Sequence, residues 1–297
     1  MNDQDGASRG GGASRGRIRA RLFVWFQYLL PQHGLSRLIL AATRVRTAWF
    51  KNWTIRSFLK LYRVDMTEAA ESDPYRYGSF NEFFTRTLKP GVRPIASDPA
   101  IASPVDGCVS EAGMIDRDRL LQAKGRDYRL TELLAAQPWA SRFEGGSYAT
   151  IYLAPFNYHR VHMPLHGVLK ETVYVPGRLF SVNAVTAQHV PRLFARNERV
   201  LTLFDSDAMG EFALVLVGAL NVGSMATVWA GDITPAARRV VTRIPAPPTT
   251  LEKGAELGRF NMGSTVILLF EPNRVCLHRE VQAGSVVRLG QSLGVIS

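Results

Sequence analysis

Residues 258–270 read GRFNMGSTVILLF, and the interpretation of the fold starts from this stretch. Its last five residues, VILLF at 266–270, are branched or aromatic, and Glu271-Pro272-Asn273 follows them. A short apolar run that ends in turn residues is typical of a strand buried on both faces. Gly263-Ser264 lies just before this run, so the sequence predicts a serine hydroxyl close to the start of a buried strand.

Similar short β-prone runs occupy most of the chain after residue 95. Only residues 130–137 carry a convincing helical pattern in this part. The sequence therefore predicts the α+β class, with a mostly β, barrel- or sandwich-like body behind N-terminal helices. The further predicted strands are residues 148–153, 168–175, 212–220 and 224–229, the last two joined by a turn, and a glycine-interrupted alternation at 285–296.

The 297 residues carry a net charge of +11, and nearly all of it lies at the N-terminus. Residues 1–63 hold 12 of the 36 Lys and Arg residues but only 2 of the 25 Asp and Glu residues. The near-neutral remainder excludes a nucleic-acid-binding surface spread over the body. The hydrophobic content of 46% excludes a wholly disordered chain, and two cysteines, Cys108 and Cys276, are too few for a disulfide scaffold.

The basic N-terminal region divides into two parts. Residues 1–16 are mostly Gly, Ser and Arg, and are predicted to be a flexible tail. Residues 17–63 are predicted to form amphipathic helices that associate with a membrane, because basic side chains meet anionic headgroups while aromatic ones enter the acyl boundary. No apolar run reaches the roughly 20 residues of a spanning helix. A signal peptide, an RNA-binding tail and helices that only pack on the body stay open as alternatives. The apolar side chains concerned include Leu22, Trp25, Phe26, Leu29, Trp49 and Trp53.

Reactive side chains concentrate in four segments, one of which, Asn197-Glu198-Arg199, indicates only a loop or an edge strand with an ion pair. Asp106 lies in a turn before a glycine, His159, His162 and His166 lie close together, and Ser264 precedes the buried strand. The order of Asp106, His162 and Ser264 is compatible with a triad in space. Acid–base roles for the histidines are favoured over metal binding, because a zinc site usually adds cysteines or a carboxylate at defined spacing. The residues alone predict no more than Asp-His-Ser chemistry near a membrane.

Together these segments resemble the bacterial phosphatidylserine decarboxylase proenzymes of the short, membrane-associated type. The resemblance runs from about residue 20 to the C-terminus, in order and at consistent spacing. Its most specific element is the combination of YHRVHMP at 158–164 with the late Gly263-Ser264-Thr265. The other matching segments include FNEFF at 80–84, VRPI at 92–95, LQAKG at 121–125, YVPG at 174–177, LFSVN at 179–183, LFARNERV at 193–200, VGS at 222–224 and VWAG at 228–231.

The resemblance implies a self-processing enzyme that converts phosphatidylserine to phosphatidylethanolamine and CO2. The family's cleavage point falls between Gly263 and Ser264, within the decarboxylase domain of residues 64–297. Cleavage there would give a β chain of residues 1–263 and an α chain of residues 264–297. Ser264 would become a covalent pyruvoyl group that forms a Schiff base with the substrate. Asp106 and His162 would complete the charge relay of self-cleavage, and His159 is the candidate proton donor in decarboxylation. Met262, where many members carry Leu, keeps the size and apolar character.

The same resemblance bears on cofactors and partners. It implies no pyridoxal phosphate and no metal, and none of the six lysines lies in a segment that resembles a pyridoxal phosphate site. Phosphatidylserine and an anionic membrane surface are the expected partners, with no nucleic acid. The α and β chains would form a heterodimer, two of which associate, at the cytoplasmic side of the cell membrane as a peripheral protein. The rival functions are a pyruvoyl enzyme acting on a soluble amino acid, a serine hydrolase, and a carrier module suggested by residues 285–294.

Overall fold

Strands dominate the chain in this computed structural model, which describes residues 22, 24–123, 125–220, 224–234 and 240–297. The predicted tail, residues 1–16, and the first residues of the 17–63 region lie outside that set. In chain order the strands are Ala100–Ala102 (β1), Gly107–Met114 (β2), Arg119–Ala123 (β3), Arg126–Arg129 (β4), Ser147–Leu153 (β5), Arg160–His162 (β6), Gly167–Val175 (β7), Arg199–Ser206 (β8), Gly210–Val217 (β9), Met225–Thr227 (β10), Gly231–Asp232 (β11), Thr242–Arg243 (β12), Thr250–Leu251 (β13), Glu256–Phe260 (β14), Ser264–Phe270 (β15), Val275–Leu277 (β16), Val286–Val287 (β17) and Ser292–Ile296 (β18).

These strands pair antiparallel into open sheets. The largest sheet has the order β12-β7-β8-β9-β15-β5-β2-β17, with β13 also paired to β7. A second sheet has the order β11-β10-β14-β6, a third has the order β1-β18-β16, and β3 pairs with β4. The predicted α+β class with a mostly β body is confirmed. Each sheet has two end strands in the described part of the chain, so the sheets are not closed barrels.

The predicted buried strand, β15, lies inside the largest sheet. Its whole length pairs with β5, from Ser264 opposite Leu153 to Phe270 opposite Ser147. Its other edge pairs with β9, from Thr265 opposite Val217 onward. Every residue of β15 is buried, as expected for an apolar run covered on both faces. The bond between residues 263 and 264 therefore lies where the chain enters the main sheet.

Two of the predicted strand arrangements are wrong. Residues 285–296 do not form one alternating element, because β17 pairs with β2 whereas β18 pairs with β1 and β16. The predicted strand–turn–strand at 212–229 also divides, since β9 lies in the main sheet and β10 pairs with β11 and β14. Its turn residues, 221–223, lie outside the described residues.

Helices occur at the N-terminus and in the connections between strands. The helix predicted at 130–137 ends at Leu133, because Ala135 and Ala136 adopt positive φ. Additional short helices also occur in the body, which was predicted to have one. Residues 24–29 are helical, and the other helices are Gln32–Thr43 (α1), Ala48–Leu61 (α2), Phe80–Phe84 (α3), Leu130–Leu133 (α4), Ala184–His189 (α5), Leu193–Arg196 (α6) and a 3₁₀ turn at Ala140–Phe143.

Polar side chains anchor the N-terminal helices to the body. The backbone amide of Ser181 donates to Gln27 Oε1 at 2.8 Å, and that of Leu179 donates to Gln32 Oε1 at 2.9 Å. Both glutamines are buried, so they fix one face of these helices against the loop at 179–183. Large apolar side chains remain exposed on the same region, namely Leu22, Trp25, Phe26, Leu29, Leu38, Trp49, Trp53 and Leu61.

In the part of the chain that the structure describes, every helix is too short or too polar to cross a membrane.

A separate aromatic cluster joins α2 to α3 beside the main sheet. Ile55 of α2 is fully buried against Phe80, Phe83 and Phe84 of α3. The side chain of Met262 packs against the edge of this cluster. The N-terminal helices therefore reach the residue that precedes Gly263-Ser264.

Candidate active site

Ser264, the first residue of β15, carries a buried hydroxyl without a partner. Its side chain is fully buried, and no hydrogen bond to Oγ forms within the described residues. The Oγ1 atom of the next residue, Thr265, is in the same situation. Leaving a buried hydroxyl unpaired costs roughly 1–3 kcal/mol. Ser36, Tyr128 and Thr150 also have unpaired buried hydroxyls, so Ser264 is distinguished by its position directly after Gly263 at the start of the strand.

A cavity of about 540 Å³ reaches the backbone at Gly263. Its wall combines α2, the chain after β5 and the loop at 179–183, so helices, sheet and loop all contribute. Its lining residues include Phe58, Tyr62, Phe156, Ser181, Met262 and Gly263. This cavity is large enough for a small polar headgroup beside the 263–264 bond.

His159 is the predicted site residue that lies next to this bond. A Cβ atom placed on Gly263 would lie 3.8 Å from His159 Cε1. The ring stacks on Phe84 with centroids 4.1 Å apart, and Nε2 lies 3.3 Å from the Pro155 carbonyl oxygen. Burial lowers the pKa of His159 to about 3. The ring is therefore neutral at neutral pH, with Nε2–H directed at the carbonyl and the lone pair of Nδ1 without a partner in the described structure.

His162 makes a different set of contacts. Its Nδ1 lies 2.8 Å from the Gly254 carbonyl oxygen, which can only accept, so Nδ1 carries the proton. Nε2 then accepts a hydrogen bond from the Tyr158 hydroxyl at 3.0 Å. Burial lowers the pKa of His162, while the Gly254 carbonyl and the charges of Glu256 and Asp106 act in the opposite direction. His162 is thus a neutral base whose basic nitrogen faces Tyr158.

Asp106 is held by an arginine and by a backbone amide. Arg93 donates from Nε to Oδ1 at 3.0 Å and from Nη2 to Oδ2 at 2.7 Å. The amide of Leu289, far along the chain, donates to Oδ1 at 2.7 Å. Gly107 follows because a Cβ atom there would lie 2.5 Å from the Tyr152 carbonyl oxygen. The carboxylate therefore connects the turn before β2 with residues on the C-terminal side of Ser264.

The predicted relay is not assembled as a chain of hydrogen bonds. His162 and Asp106 are close, since the His162 amide donates to the carbonyl of Pro104 at 2.9 Å. Within the described residues, however, no hydrogen bond joins Asp106 to His162 or His162 to Ser264. The carboxylate is already committed to Arg93, and the imidazole to Tyr158 and Gly254.

His166, the third histidine of the cluster, lies apart from the site. The imidazole of His166 lies 3.1 Å from Glu252 near the surface and contacts neither of the other two rings. In the described ranges, no three His, Cys, Asp or Glu side chains converge as metal ligands.

Asn261 is a residue that sequence reasoning missed. Asn81 donates to Asn261 Oδ1 at 3.1 Å, Asn261 Nδ2 donates to Asp232 at 3.3 Å, and its amide donates to the Ser224 carbonyl at 2.9 Å. These contacts hold the chain two residues before Gly263. Arg93, Tyr158 and Phe84 were also assigned no chemistry, although each lies in a segment that carries the family resemblance.

Comparisons with known proteins agree on one family. The family described as phosphatidylserine decarboxylase matches residues 80–295, and a shorter one described as PSD matches residues 22–63. A protein of Pseudomonas fluorescens is 54% identical over 94% of this chain and 98% of its own length. A protein of Ectopseudomonas mendocina is 55% identical over 93% of this chain and 99% of its own length. A protein of Pseudomonas aeruginosa is 53% identical over 94% of this chain and 98% of its own length. All three are named phosphatidylserine decarboxylase proenzyme.

Proposed function

The chain belongs to the phosphatidylserine decarboxylase family and converts phosphatidylserine to phosphatidylethanolamine and CO2; we propose that it does so after cleaving itself between Gly263 and Ser264. The observation that carries this proposal is the buried, unpaired Ser264 hydroxyl directly after a glycine that borders a cavity. The proenzyme names of the relatives support the self-cleavage.

A pyruvoyl group made from Ser264 fits the residues present. The Ser264 hydroxyl makes no hydrogen bond within the described residues, so loss of this side-chain oxygen would break none. The backbone nitrogen of residue 264, at the end of the pairing with β5, would leave as ammonia, and the pairing from Thr265 onward would hold the strand. Gly263 borders the cavity, so a substrate amine can approach residue 264 from that side. When present, the group supplies an electron sink for the pair left behind as CO2 departs, which no ordinary side chain can supply.

Self-cleavage can be written with this chain's own atoms. Ser264 Oγ loses its proton to an imidazole and attacks the Gly263 carbonyl carbon, and the peptide C–N bond breaks as the nitrogen takes a proton. The product is an ester between residues 263 and 264. Removal of the Cα proton of residue 264 expels the Gly263 carboxylate and leaves a C=C bond. Tautomerisation and addition of water then release ammonia and leave a ketone at residue 264.

We assign His162 as the base for Ser264, with Asp106 acting on it through its charge. His162 is neutral, and its Nε2 atom already accepts a proton donor, the Tyr158 hydroxyl. To act as the base for Ser264, Nε2 must lose the hydrogen bond from the Tyr158 hydroxyl and accept one from Ser264 Oγ instead. The charge of Asp106 favours the protonated ring that would form, which is a role the carboxylate can fill without a direct hydrogen bond.

We assign His159 to the proton transfers of decarboxylation. Its neutral ring borders Gly263 and has an unpaired Nδ1 lone pair in the described structure. That nitrogen can accept the proton that the substrate ammonium must lose before the amine reacts. The protonated ring can then return a proton to carbon after CO2 has left.

The two histidines are separated by one experiment with two readouts. His159→Ala is expected to cleave but to release no CO2, and His162→Ala is expected to stay uncut. Intact mass measures cleavage: the wild type should give two chains, with the chain of residues 264–297 lighter by one ammonia than a serine-ended peptide. His166→Ala, at a histidine outside the site, is the matched control. An uncut His159→Ala protein would transfer the base role to His159, and an uncut wild type would contradict the function itself.

We further propose that the N-terminal helices bring the site to a lipid surface. Between α1 and α2 lies an apolar groove of about 330 Å³, and it shares Phe58 and Met262 with the cavity at Gly263. Trp25, Trp49 and Trp53 are exposed on these helices, where aromatic rings suit the membrane interface. An acyl chain in the groove would therefore lead towards the 263–264 bond.

Vesicle binding tests this association. The triple variant Trp25→Ser, Trp49→Ser and Trp53→Ser should bind phosphatidylserine-containing vesicles at least about tenfold more weakly, because burial of each large side chain contributes roughly 1.5–3 kcal/mol. Met114→Ser, at an exposed apolar residue of the body, should bind as the wild type does. Equal binding by the triple variant would refute the membrane role. The cytoplasmic side, the dimer of heterodimers and the domain boundary at residue 64 stay predictions.

A further inference from the structure

A second cavity, of about 260 Å³, is lined by four arginines and three carboxylates, so its lining carries a formal net charge of +1. Two of the carboxylates, Asp106 and Glu68, form ion pairs with Arg93, whereas Asp65 accepts hydrogen bonds from the neutral Thr67. Arg288 lies 3.6 Å from Glu68. The remaining two arginines of the lining, Arg63 and Arg86, form no ion pair with any residue that the structure describes. The charged lining residues are Arg63, Asp65, Glu68, Arg86, Arg93, Asp106 and Arg288.

Arg86 is the unusual member of this set. Its side chain is in the interior, with 4% of the residue exposed, yet Nε and Nη1 have no hydrogen-bond partner in the described structure. Its Nη2 atom donates to the Phe156 carbonyl oxygen at 3.3 Å, and the guanidinium lies over the Phe83 ring. The charges of Asp106 and Glu68 act on Arg86 from a distance, but a buried cation with no anion in direct contact is still unfavourable. A residue in this state at a cavity wall indicates that an anion completes its environment.

We propose that this cavity is an oxyanion site in which Arg86, together with the exposed Arg63, binds a phosphate group. Arginine N–H donors match phosphate oxygens well, and the cavity has room for one phosphate with water. The shared chemistry has two possible sources, the phosphodiester of a lipid headgroup and free phosphate. A substrate carboxylate is a poorer candidate, because an arginine that holds the leaving carboxylate would stabilise the ground state over the transition state.

The headgroup source is favoured by position and rests on the proposed function. Phe156 lines this cavity and also the cavity that reaches Gly263. A headgroup whose serine moiety approaches residue 264 could therefore place its phosphodiester on the other side of Phe156. Bound there, the phosphate would orient the amine and carboxylate towards the reacting bond without touching it.

Calorimetric titration of the full chain in phosphate-free detergent solution tests this site. Inorganic phosphate and glycerophosphoserine, the headgroup without acyl chains, are the two titrants. Arg86→Met should weaken binding of the preferred titrant by about 10- to 100-fold, the range expected for lost charge-assisted hydrogen bonds. Arg86→Met loses no ion pair, and Arg63→Met, at an exposed residue, provides a second variant that should weaken binding less. Arg119→Met, in the β3–β4 hairpin, is the control that should bind as the wild type does.

The outcomes separate the two sources and the two proposals. Tighter binding of glycerophosphoserine, displaced by phosphate and lost in Arg86→Met, supports the headgroup source. Binding of phosphate alone, lost in the same variant, supports a free-phosphate site. No binding by the wild type, or equal affinity in Arg86→Met, overturns the site. Intact mass of the wild type is read on the same sample, so a failure of self-cleavage is recognised separately.

Discussion

Replacement of Asp106 by Asn distinguishes two roles of this carboxylate, support of the fold and action on His162. Asp106 receives three hydrogen bonds of 3 Å or less, two from Arg93 and one from the amide of Leu289. Asn keeps an acceptor oxygen but loses the charge, and Arg93 then has Glu68 as its remaining carboxylate partner. Hydrogen bonds to charged groups contribute about 1.5–3 kcal/mol each. With one such bond lost, the free energy of unfolding of the uncut polypeptide should fall by about 2 kcal/mol, which lowers its melting temperature by roughly 4–8 °C.

Arg93→Lys is the matched control for this experiment. Lysine keeps a positive charge beside Asp106 but loses the planar fork that binds both carboxylate oxygens. Intact mass is measured on each variant, and melting temperature is measured on each variant combined with Ser264→Ala, which should keep every polypeptide uncut. Both substitutions should lower the melting temperature. With Ser264 present, only Asp106→Asn should stay uncut, because Arg93→Lys leaves the Asp106 carboxylate, whose charge acts on His162, in place.

Two results would refute this reasoning. An Asp106→Asn protein that cleaves as fast as the wild type would remove the carboxylate from self-cleavage. If both variants stay uncut to the same extent, Asp106 acts by holding the segment around Leu289 in place, and its charge has no separate effect on His162.

Three further predictions concern residues around the site. The buried His159 has a pKa of about 3, whereas a histidine in an unfolded chain has a pKa of about 6.5. The unfolded state therefore takes up a proton first as pH falls, and the melting temperature should drop between pH 6.5 and 3. His159→Phe should make this drop smaller, and an unchanged pH dependence of the melting temperature would contradict the prediction. Asn261→Ala should slow self-cleavage about 10- to 100-fold in a time course read by mass, since the chain before Gly263 loses its support; cleavage at the wild-type rate would exclude that role. Gln32→Leu leaves the Leu179 amide unpaired, which should cost about 1–3 kcal/mol and speed hydrogen exchange at residues 179–183; unaltered exchange would show that the helix does not hold this loop.

The positions of individual strands could be predicted from the sequence better than the strands with which they pair. The strands found at 147–153, 167–175 and 264–270 were all predicted, because runs of branched and aromatic residues need no tertiary information to be recognised. The division of residues 285–296 between two sheets was missed, because pairing partners are set by distant parts of the chain. The early end of the helix at Leu133 depends on two alanines with positive φ, which alanine rarely adopts and which only tertiary packing can enforce.

For the site, the segments were predicted but the contacts were not. Resemblance to a family gave Asp106, His162 and Ser264 as a set, whereas the structure commits Asp106 to Arg93 and the basic nitrogen of His162 to Tyr158. A sequence contains no signal for which of several nearby donors a carboxylate will choose. That choice depends on burial and side-chain direction, which emerge only after the sheets have assembled.

The position of β15 between β5 and β9 has a consequence for the life of the protein after cleavage. The cut would leave residues 264–297 as a separate polypeptide, held by pairing along both edges of its first strand. In the intact chain, β15 pairs with β5 and β9 during the folding of one polypeptide. After cleavage and unfolding, the same pairing requires two separate polypeptides to associate. The mature form should therefore unfold irreversibly, and its resistance to heat should be set by its unfolding rate and not by an equilibrium free energy. The uncut precursor would be the only species that can build the molecule, so the sequence encodes an assembly route that its own chemistry later removes.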